Sequence, residues 1–199
     1  MPEHNAQTRR RFLLAGAAAG AMTWACGGVV FAQQLPLTPE CKDGSEATPR
    51  QTEGPFFKPS SPLRSDLREP GMAGRAVELS GLVQTRACRP VAGALVDLWH
   101  ADAQGNYDMR GNRCRGHQFA DAGGRYRFTT VMPALYSGRA RHFHVKVQAP
   151  RQSVLTTQLY FPNEPLNQRD GLFRRELLMR VADAGSALSA HFDFVLDLR

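Results

Sequence analysis

Short alternations of apolar and polar residues dominate the chain from residue 76 onward. Six stretches carry them: AVELSGLV (76–83), ALVDLWHA (94–101), GRYRFTTV (124–131), RHFHVKVQA (141–149), TTQLYF (156–161) and HFDFVLDL (191–198). Alternation of period two, with many Val, Phe, Tyr, Thr and Leu residues, is typical of β-strands. The segments between them are rich in Gly, Pro and Asp, and only residues 174–181 have a pattern compatible with a helix. We therefore predict an all-β domain over residues 76–199, an antiparallel β-sandwich with long loops.

Two segments with a different composition precede this domain. Residues 33–75 are rich in Pro, Ser, Thr and Gly with little periodicity, which predicts an irregular arm that packs on the domain. In residues 1–32, TRRRFLL leads into an Ala- and Gly-rich apolar run, as in a twin-arginine signal peptide. We expect cleavage near Gln33, export to the periplasm or the exterior, and no stable membrane span after processing. A signal retained as an anchor is the alternative, and the sequence does not decide between them.

The charge and the cysteines narrow the range of partners. The chain has a net charge of +7, and removal of Arg9, Arg10, Arg11 and Glu3 would leave 22 basic and 17 acidic residues, or +5. The basic residues are scattered without interleaved aromatics, so no nucleic-acid partner is expected. Three cysteines would remain after cleavage, and an oxidising compartment permits one disulfide whose pairing is open; they are Cys41, Cys88 and Cys114.

A short motif occurs twice: DAQGNY at residues 102–107 and DAGGRY at residues 121–126. Asp and Gly in the bend indicate a turn in both places. Tyr126 begins an alternation with Phe128, so we expect it in the core. Tyr107 follows a strand end and precedes a polar loop, which is where functional residues concentrate.

The run PALYSGRARHFHVKV (133–147) contains the most suggestive chemistry. Because residues i and i+2 of a strand share a face, His142 and His144 project together, with Phe143 opposite. A hydrogen-bonded histidine pair on a sheet face explains this spacing as well as a metal site does. Tyr136 lies just upstream, beyond a Ser-Gly turn that could fold it back toward the histidines. Arg139 would be a poor neighbour for a metal unless an anion also binds there.

The donor atoms near the two histidines restrict which metal could bind. A two-His, one-carboxylate iron(II) site would need an acidic residue soon after the histidines, and VKVQA supplies none. The oxygen donors at hand are phenols. Tyrosinate is a hard anionic ligand that favours a trivalent cation such as Fe(III), and a phenol with a pKa near 10 loses its proton at neutral pH only beside a strong Lewis acid.

Four segments in order resemble the intradiol ring-cleavage dioxygenases, the family of the protocatechuate 3,4-dioxygenases and catechol 1,2-dioxygenases. They are TEGPFF (52–57), VAGALVDLWHADAQGNYD (91–108), RYRFTTVMPALYSGRARHFHVKV (125–147) and TTQLYF (156–161). The resemblance implies one Fe(III) per chain, held by Tyr107, Tyr136, His142 and His144. It also implies a small aromatic diol and O2 as substrates, with cleavage between the two hydroxyl-bearing carbons to give a muconate-type diacid.

The same resemblance implies roles around the substrate. Tyr136, as the axial ligand, would leave the metal when substrate binds and help to accept a substrate proton. Arg139 would stabilise negative charge on the ring carbon that oxygen attacks. Gln158 would lie near the substrate, and Gly54 and Pro55 would form the pocket wall. The spacing from Tyr136 to His142 is shorter than in the best-known members, so the identity of the catechol stays open. The sequence also leaves the oligomeric state open.

Two other hypotheses fit parts of the sequence: a metal-free, transthyretin-like binding module, and a β-sandwich that holds copper or zinc on its two histidines. The remaining aromatic and basic residues have simpler interpretations. We expect His100 to lie within the sandwich or beside the ligand residues rather than to be a ligand itself. We expect core positions for Trp99 and Tyr160, a surface position for Arg141, and surface or structural positions for His117 and His191.

Overall fold

The computed structural model describes residues 46–198, which form two β-sheets that enclose one hydrophobic core. Nine strands lie in this range: β1 (Ala76–Thr85), β2 (Leu95–Trp99), β3 (Arg115–Phe119), β4 (Arg125–Val131), β5 (His142–Gln148), β6 (Leu155–Tyr160), β7 (Arg180–Ala184), β8 (Ala187–His191) and β9 (Phe194–Leu196). Two short 3-10 turns, Pro165–Gln168 and Arg175–Leu177, are the helical elements of the described residues. The predicted all-β sandwich is confirmed.

The two sheets differ in strand direction. One has the order β3-β2-β5-β6 and is antiparallel throughout. The other has the order β4-β1-β8-β7, with β9 also paired to β1. Here β1 pairs antiparallel with β4 but parallel with β8 and β9. The sandwich is therefore mixed in this second sheet, which the predicted purely antiparallel arrangement did not include.

The core is built from the alternating residues that the sequence patterns predict. Leu79, Phe128, Phe143 and Val145 are fully buried between the sheets. Tyr126 is also buried there, and its hydroxyl donates a hydrogen bond of 2.7 Å to the Phe192 carbonyl. Burial of each such side chain contributes about 2 kcal/mol to stability. The core position predicted for Tyr126 is confirmed.

Four strands and one helix differ from the prediction. Strands β3, β7 and β8 lie outside the predicted stretches, and the strand predicted over residues 191–198 is reduced to β9. The helix considered for residues 174–181 is wrong: after the 3-10 turn Arg175–Leu177 the chain becomes extended and enters β7. Leu178 has extended backbone, and the Met179 N–H donates to the Tyr160 carbonyl at the end of β6 instead of continuing a helix.

The described part of the arm follows the sheets without forming a strand of its own. The Thr48 N–H donates to the Val195 carbonyl, and the Gln51 N–H donates to the Thr156 carbonyl of β6. Further along, Leu67 is fully buried. Residues 46–75 therefore pack on the sandwich, while residues 33–45 and the predicted signal peptide lie outside the described residues.

The described cysteines divide into one bonded and one free residue. Cys88 is disulfide-bonded, and Cys114 is a buried free thiol. Burial raises the pKa of Cys114 to about 12, so this thiol stays protonated at neutral pH. Between residues 46 and 198 there is no helix with the length and apolarity needed to cross a membrane.

A tight backbone contact inside the sandwich gives a stability prediction. A Cβ added at Gly81 in β1 would lie 1.7 Å from the Phe192 carbonyl oxygen, so the backbone would have to move. We expect Gly81→Ala to lower the free energy of unfolding by at least about 2 kcal/mol. Gly171→Ala is the matched control, because a Cβ there meets nothing within 4 Å. Urea unfolding of both variants checks this, and equal stabilities would contradict it.

Candidate functional site

Strand β5 carries two histidines on the face of the sheet that lies away from the core. It runs between β2 and β6, and both His142 and His144 are at most 5% exposed. Their Nε2 atoms lie 3.1 Å apart. The Nδ1 atom of His142 is 2.6 Å from the Ala140 carbonyl, to which it can only donate, so the Nε2 atom of His142 carries the lone pair. The backbone therefore orients this imidazole for binding through Nε2.

Tyr107 is delivered to the histidines by the first of the two repeated turns. The Asp102 carboxylate accepts hydrogen bonds from the N–H groups of Gln104 and Asn106, both at 2.9 Å. This turn follows β2 and places the Tyr107 hydroxyl 3.1 Å from the His144 Nε2 atom. In the second turn, the Asp121 carboxylate accepts from residues 123 and 125 in the same way. The two turns thus share one geometry, although their tyrosines end in the site and in the core respectively.

Tyr136 reaches the same place through a tight turn. Ser137 and Gly138 both have positive φ, at 46° and 75°, and the Arg139 N–H donates to the Tyr136 carbonyl at 2.8 Å. These are the features of a type I′ turn. The ring of Tyr136 meets the ring of Tyr107 edge-on, with centroids 5.4 Å apart. The structure therefore brings together Tyr107, Tyr136, His142 and His144.

An aromatic residue of the arm packs between the two tyrosines. Phe56 stacks on the Tyr107 ring with centroids 4.3 Å apart, and it meets the Tyr136 ring edge-on at 5.2 Å. Behind the histidines, Trp99 stacks on the His144 ring at 5.0 Å and is itself buried. These contacts fix the ring planes. The sequence pattern predicted only a core position for Trp99 and indicated no particular role for Phe56.

The donor set fits a hard, highly charged cation. Burial lowers the pKa of His142 to about 4 and that of His144 well below 6.5, so both imidazoles are neutral at pH 7. Burial raises the pKa of Tyr107 to about 12, so its phenolate form needs a cation close by. The His144 Nε2 atom lies 3.1 Å from the Tyr107 hydroxyl and 3.1 Å from the His142 Nε2 atom, so the three donor atoms are close together. Over residues 46–198, no group of three or more His, Cys, Asp and Glu side chains could hold a metal ion.

Arg139 lies beside this donor set in a network of buried acceptors. Its Nε–H is shared between the two Asp170 oxygens, at 3.0 and 2.8 Å. Its Nη2 atom donates to Gln158 Oε1 at 2.7 Å and to the Tyr160 hydroxyl at 3.3 Å. The Asp170 side chain is only 1% exposed and that of Arg139 is 25% exposed. Hydrogen bonds from Nε and Nη2 therefore hold the Arg139 guanidinium in place, while its other edge stays accessible.

Three further residues were predicted to lie near the substrate. Gln158 is fully buried, pairs across the sheet with His144, and donates to the Thr52 carbonyl at 3.0 Å. Gly54 has a φ of +69°, and a Cβ there would lie 3.3 Å from the His144 Cε1 atom. A glycine suits this position on both counts. Pro55 is exposed next to it.

Several neighbouring residues differ from their expected positions or were not anticipated. Arg141 is half-buried rather than at the surface, because it pairs with Glu164 at 2.9 Å and donates to the Pro133 carbonyl. Tyr160 is buried as expected, yet its hydroxyl lies within 3.0 Å of Gln51 and 2.9 Å of Gln158. Asp170 was not anticipated, since it lies in a loop without periodicity. His100 is buried behind the site and contacts the Thr130 hydroxyl at 2.7 Å.

Comparison with known proteins gives consistent matches. A family model described as "Dioxygenase" matches residues 52–198. The β chain of protocatechuate 3,4-dioxygenase from Burkholderia cepacia is 31% identical over 152 residues, covering 62% of this chain and 65% of that relative. Catechol 1,2-dioxygenase 2 from Acinetobacter lwoffii is 31% identical over 153 residues, covering 63% and 56%. The chain thus spans between half and two thirds of the length of these relatives.

A solved structure matches over a larger share of its own length. It is the dioxygenase domain of a dioxygenase and carbohydrate-binding protein fusion from Streptomyces sp. SirexAA-E. This domain is 52% identical to the chain, and the match covers 77% of the chain and 100% of the domain with a TM-score of 0.76.

The buried histidines give a pH prediction for the metal-free protein. His100 and His142 have pKa values of about 4 because burial disfavours their charged forms, whereas the unfolded chain takes up protons near pH 6.5. The unfolded state therefore binds more protons between these pH values, so stability should fall as pH drops from about 6.5 toward 4. Each such histidine contributes up to about 1.4 kcal/mol per pH unit.

Urea unfolding at several pH values between 7.5 and 4.5 measures this slope. In the His100→Gln variant the slope should be shallower by the contribution of one histidine. An identical slope in the variant and the parent protein would contradict the assignment to His100.

Proposed function

The chain belongs to the intradiol ring-cleavage dioxygenase family, and from that premise we propose that it is an Fe(III)-dependent enzyme that adds O2 to a catechol-type ring. The ring would be cleaved between its two hydroxyl-bearing carbons to give a muconate-type diacid. The observation that carries this proposal is the convergence of the Tyr107 hydroxyl and the Nε2 atoms of His142 and His144.

The metal would be one Fe(III) per chain, held by Tyr107, Tyr136, His142 and His144. Two neutral imidazoles and two phenolates suit a trivalent ion, because the phenolates supply the negative charge that the imidazoles lack. When bound, Fe(III) would supply a Lewis acid that activates the catecholate for reaction with O2. Burial of the donor atoms supports tight binding, since water does not compete for them.

Tyr136 is suited to take a proton from the substrate. It is more exposed than the two histidines, and its hydroxyl makes no hydrogen bond to any residue of the range 46–198. In the ionised form proposed above, the Tyr136 phenolate oxygen could therefore accept the proton of a substrate hydroxyl without breaking a hydrogen bond within the described residues.

Arg139 is suited to stabilise negative charge on the ring carbon that reacts with O2. Its Nε and Nη2 atoms are occupied by Asp170, Gln158 and Tyr160, whereas Nη1 makes no hydrogen bond to any residue in the described part of the chain. A donor that is fixed in position stabilises developing charge without reorganisation during the reaction. Gln158, Gly54 and Pro55 would form the adjoining wall of the substrate pocket.

We further propose that the protein works outside the cytoplasm after twin-arginine export. The TRRRFLL motif and the apolar run after it support this. The disulfide bond of Cys88 also supports it, because disulfides persist in oxidising compartments.

A single preparation tests the proposed activity. The purified protein should contain one iron per chain and be red to burgundy, because tyrosinate-to-Fe(III) charge transfer absorbs visible light. The same sample should consume O2 and cleave at least one of catechol, protocatechuate and hydroxyquinol. A colourless protein with zinc or copper would favour the histidine-metal hypothesis, and a colourless protein without metal would favour the binding module; either result would contradict our proposal.

The repeated turns provide a matched pair of variants. Tyr107→Phe removes a proposed ligand and should lose iron and colour. Tyr126→Phe should keep both, although loss of its hydrogen bond to Phe192 lowers the free energy of unfolding by about 1 kcal/mol. Metal analysis and visible spectra distinguish the two variants, and the reverse pattern would show that the site uses the other tyrosine.

Two arginines of one run provide a second pair. Arg139→Ala should retain iron and colour but lower kcat by about 100-fold, the usual effect of removing one charge-stabilising donor. Arg141 forms an ion pair with Glu164 and has no proposed role in the reaction, so Arg141→Ala should leave kcat within about twofold of the parent. Steady-state O2 consumption measures both, and an unchanged kcat for Arg139→Ala would exclude the proposed electrostatic role.

A further inference from the structure

We propose that Asp170 is a positioning residue that holds the Arg139 guanidinium in its productive orientation; this role rests on the proposed ring-cleavage function. The two side chains are 31 residues apart in sequence and in direct contact through both carboxylate oxygens. Asp170 belongs to the loop after β6, which packs against the 136–142 run and contributes none of the proposed metal ligands.

Backbone N–H groups hold the Asp170 carboxylate in place independently of its contact with the Arg139 guanidinium. One of its oxygens accepts the Leu172 N–H and the other accepts the Ala140 N–H, both at 3.0 Å. Its own N–H donates to the Leu166 carbonyl at 2.9 Å. Burial alone would raise the pKa of Asp170, but these N–H groups and the Arg139 guanidinium outweigh burial and hold the pKa below its usual value. The group is therefore a rigid carboxylate anchored to two separate loops.

This anchor decides which edge of Arg139 faces the pocket. Asp170 occupies Nε and Gln158 occupies Nη2, so the guanidinium plane cannot rotate without breaking charge-assisted hydrogen bonds. Nη1 remains as the edge directed away from these partners. An arginine without this support would populate several rotamers, and each would carry the charge to a different point. Asp170 thus acts on the substrate only through Arg139.

A neighbouring ion pair offers a control built into the same two segments. Arg141 and Glu164 also join the 136–142 run to the loop after β6, at 2.9 Å. Glu164 contacts neither Arg139 nor any proposed ligand. A purely structural role of this loop would affect both pairs alike, whereas positioning of Arg139 concerns Asp170 alone.

The test uses the iron-loaded full-length protein and a double-mutant cycle. Asp170→Asn should lower kcat by about 10- to 100-fold, with a smaller change in KM and with unchanged iron content and charge-transfer absorption. In the Arg139→Ala background the same substitution should lower kcat by less than about twofold. Glu164→Gln should leave kcat within about twofold of the parent.

Two results would overturn this role: an iron-loaded Asp170→Asn variant with the kcat of the parent, or an equal loss of kcat in the presence and absence of Arg139. If Asp170→Asn does not fold, Asp170→Glu replaces it. The longer side chain keeps the charge but displaces the oxygens, so a kcat equal to that of the parent would again overturn the role. An iron-loaded parent that cleaves no catechol would instead contradict the proposed function itself, and the positioning role with it.

Discussion

Burial of β5 on both faces is the constraint on which the candidate site depends. His142, Phe143, His144 and Val145 are consecutive, and all four are buried. An alternating strand can achieve this only when both sides of the sheet are covered. The sandwich core covers the side of Phe143 and Val145, and the arm covers the side of the histidines. Polar groups that would otherwise meet water are thereby enclosed together.

The enclosure accounts for the electrostatic properties of the site. Removal of water disfavours charge on the imidazoles and on the isolated phenol, which shifts the pKa values of His142 and Tyr107 in opposite directions. The same low-polarity surroundings strengthen the contact of Arg139 with its buried acceptors. These buried, low-polarity surroundings therefore disfavour isolated charges and favour groups whose opposite charges balance, such as a trivalent cation with anionic ligands.

The arm is held over the histidines by specific contacts. Glu53 pairs with Lys146 at 2.6 Å, and the Lys146 ammonium lies 4.0 Å above the Phe57 ring. Gly54 allows the backbone to pass close to His144, and Phe56 then stacks on Tyr107. The segment TEGPFF is a recognisable motif in the sequence. In the structure it packs over His144 and Tyr107.

Local patterns allowed much of this arrangement to be predicted. The alternation of His142 and Phe143 predicted which side chains share a face, and the turn chemistry of the repeated Asp-Ala-x-Gly motif predicted both bends. Strands β7 and β8 escaped prediction because their Ala-rich segments have weak strand propensity, and pairing of β8 with β1 and of β7 with β8 decides their conformation. Asp170 could not be predicted from local pattern, since only the tertiary fold brings it to Arg139.

The connections of the arm to the rest of the site also determine when the site can form. The hydrogen bonds from Gln158 to Thr52 and from Tyr160 to Gln51 span 106 and 109 residues, and that from Gln51 to Leu172 spans 121. Contacts at such separation close long loops, and the entropic cost of closure rises with the logarithm of loop length. During synthesis residues 51 and 52 emerge before residues 158–172, so these hydrogen bonds cannot form until most of the domain has been made. The cover of the two histidines therefore depends on segments from both ends of the described chain.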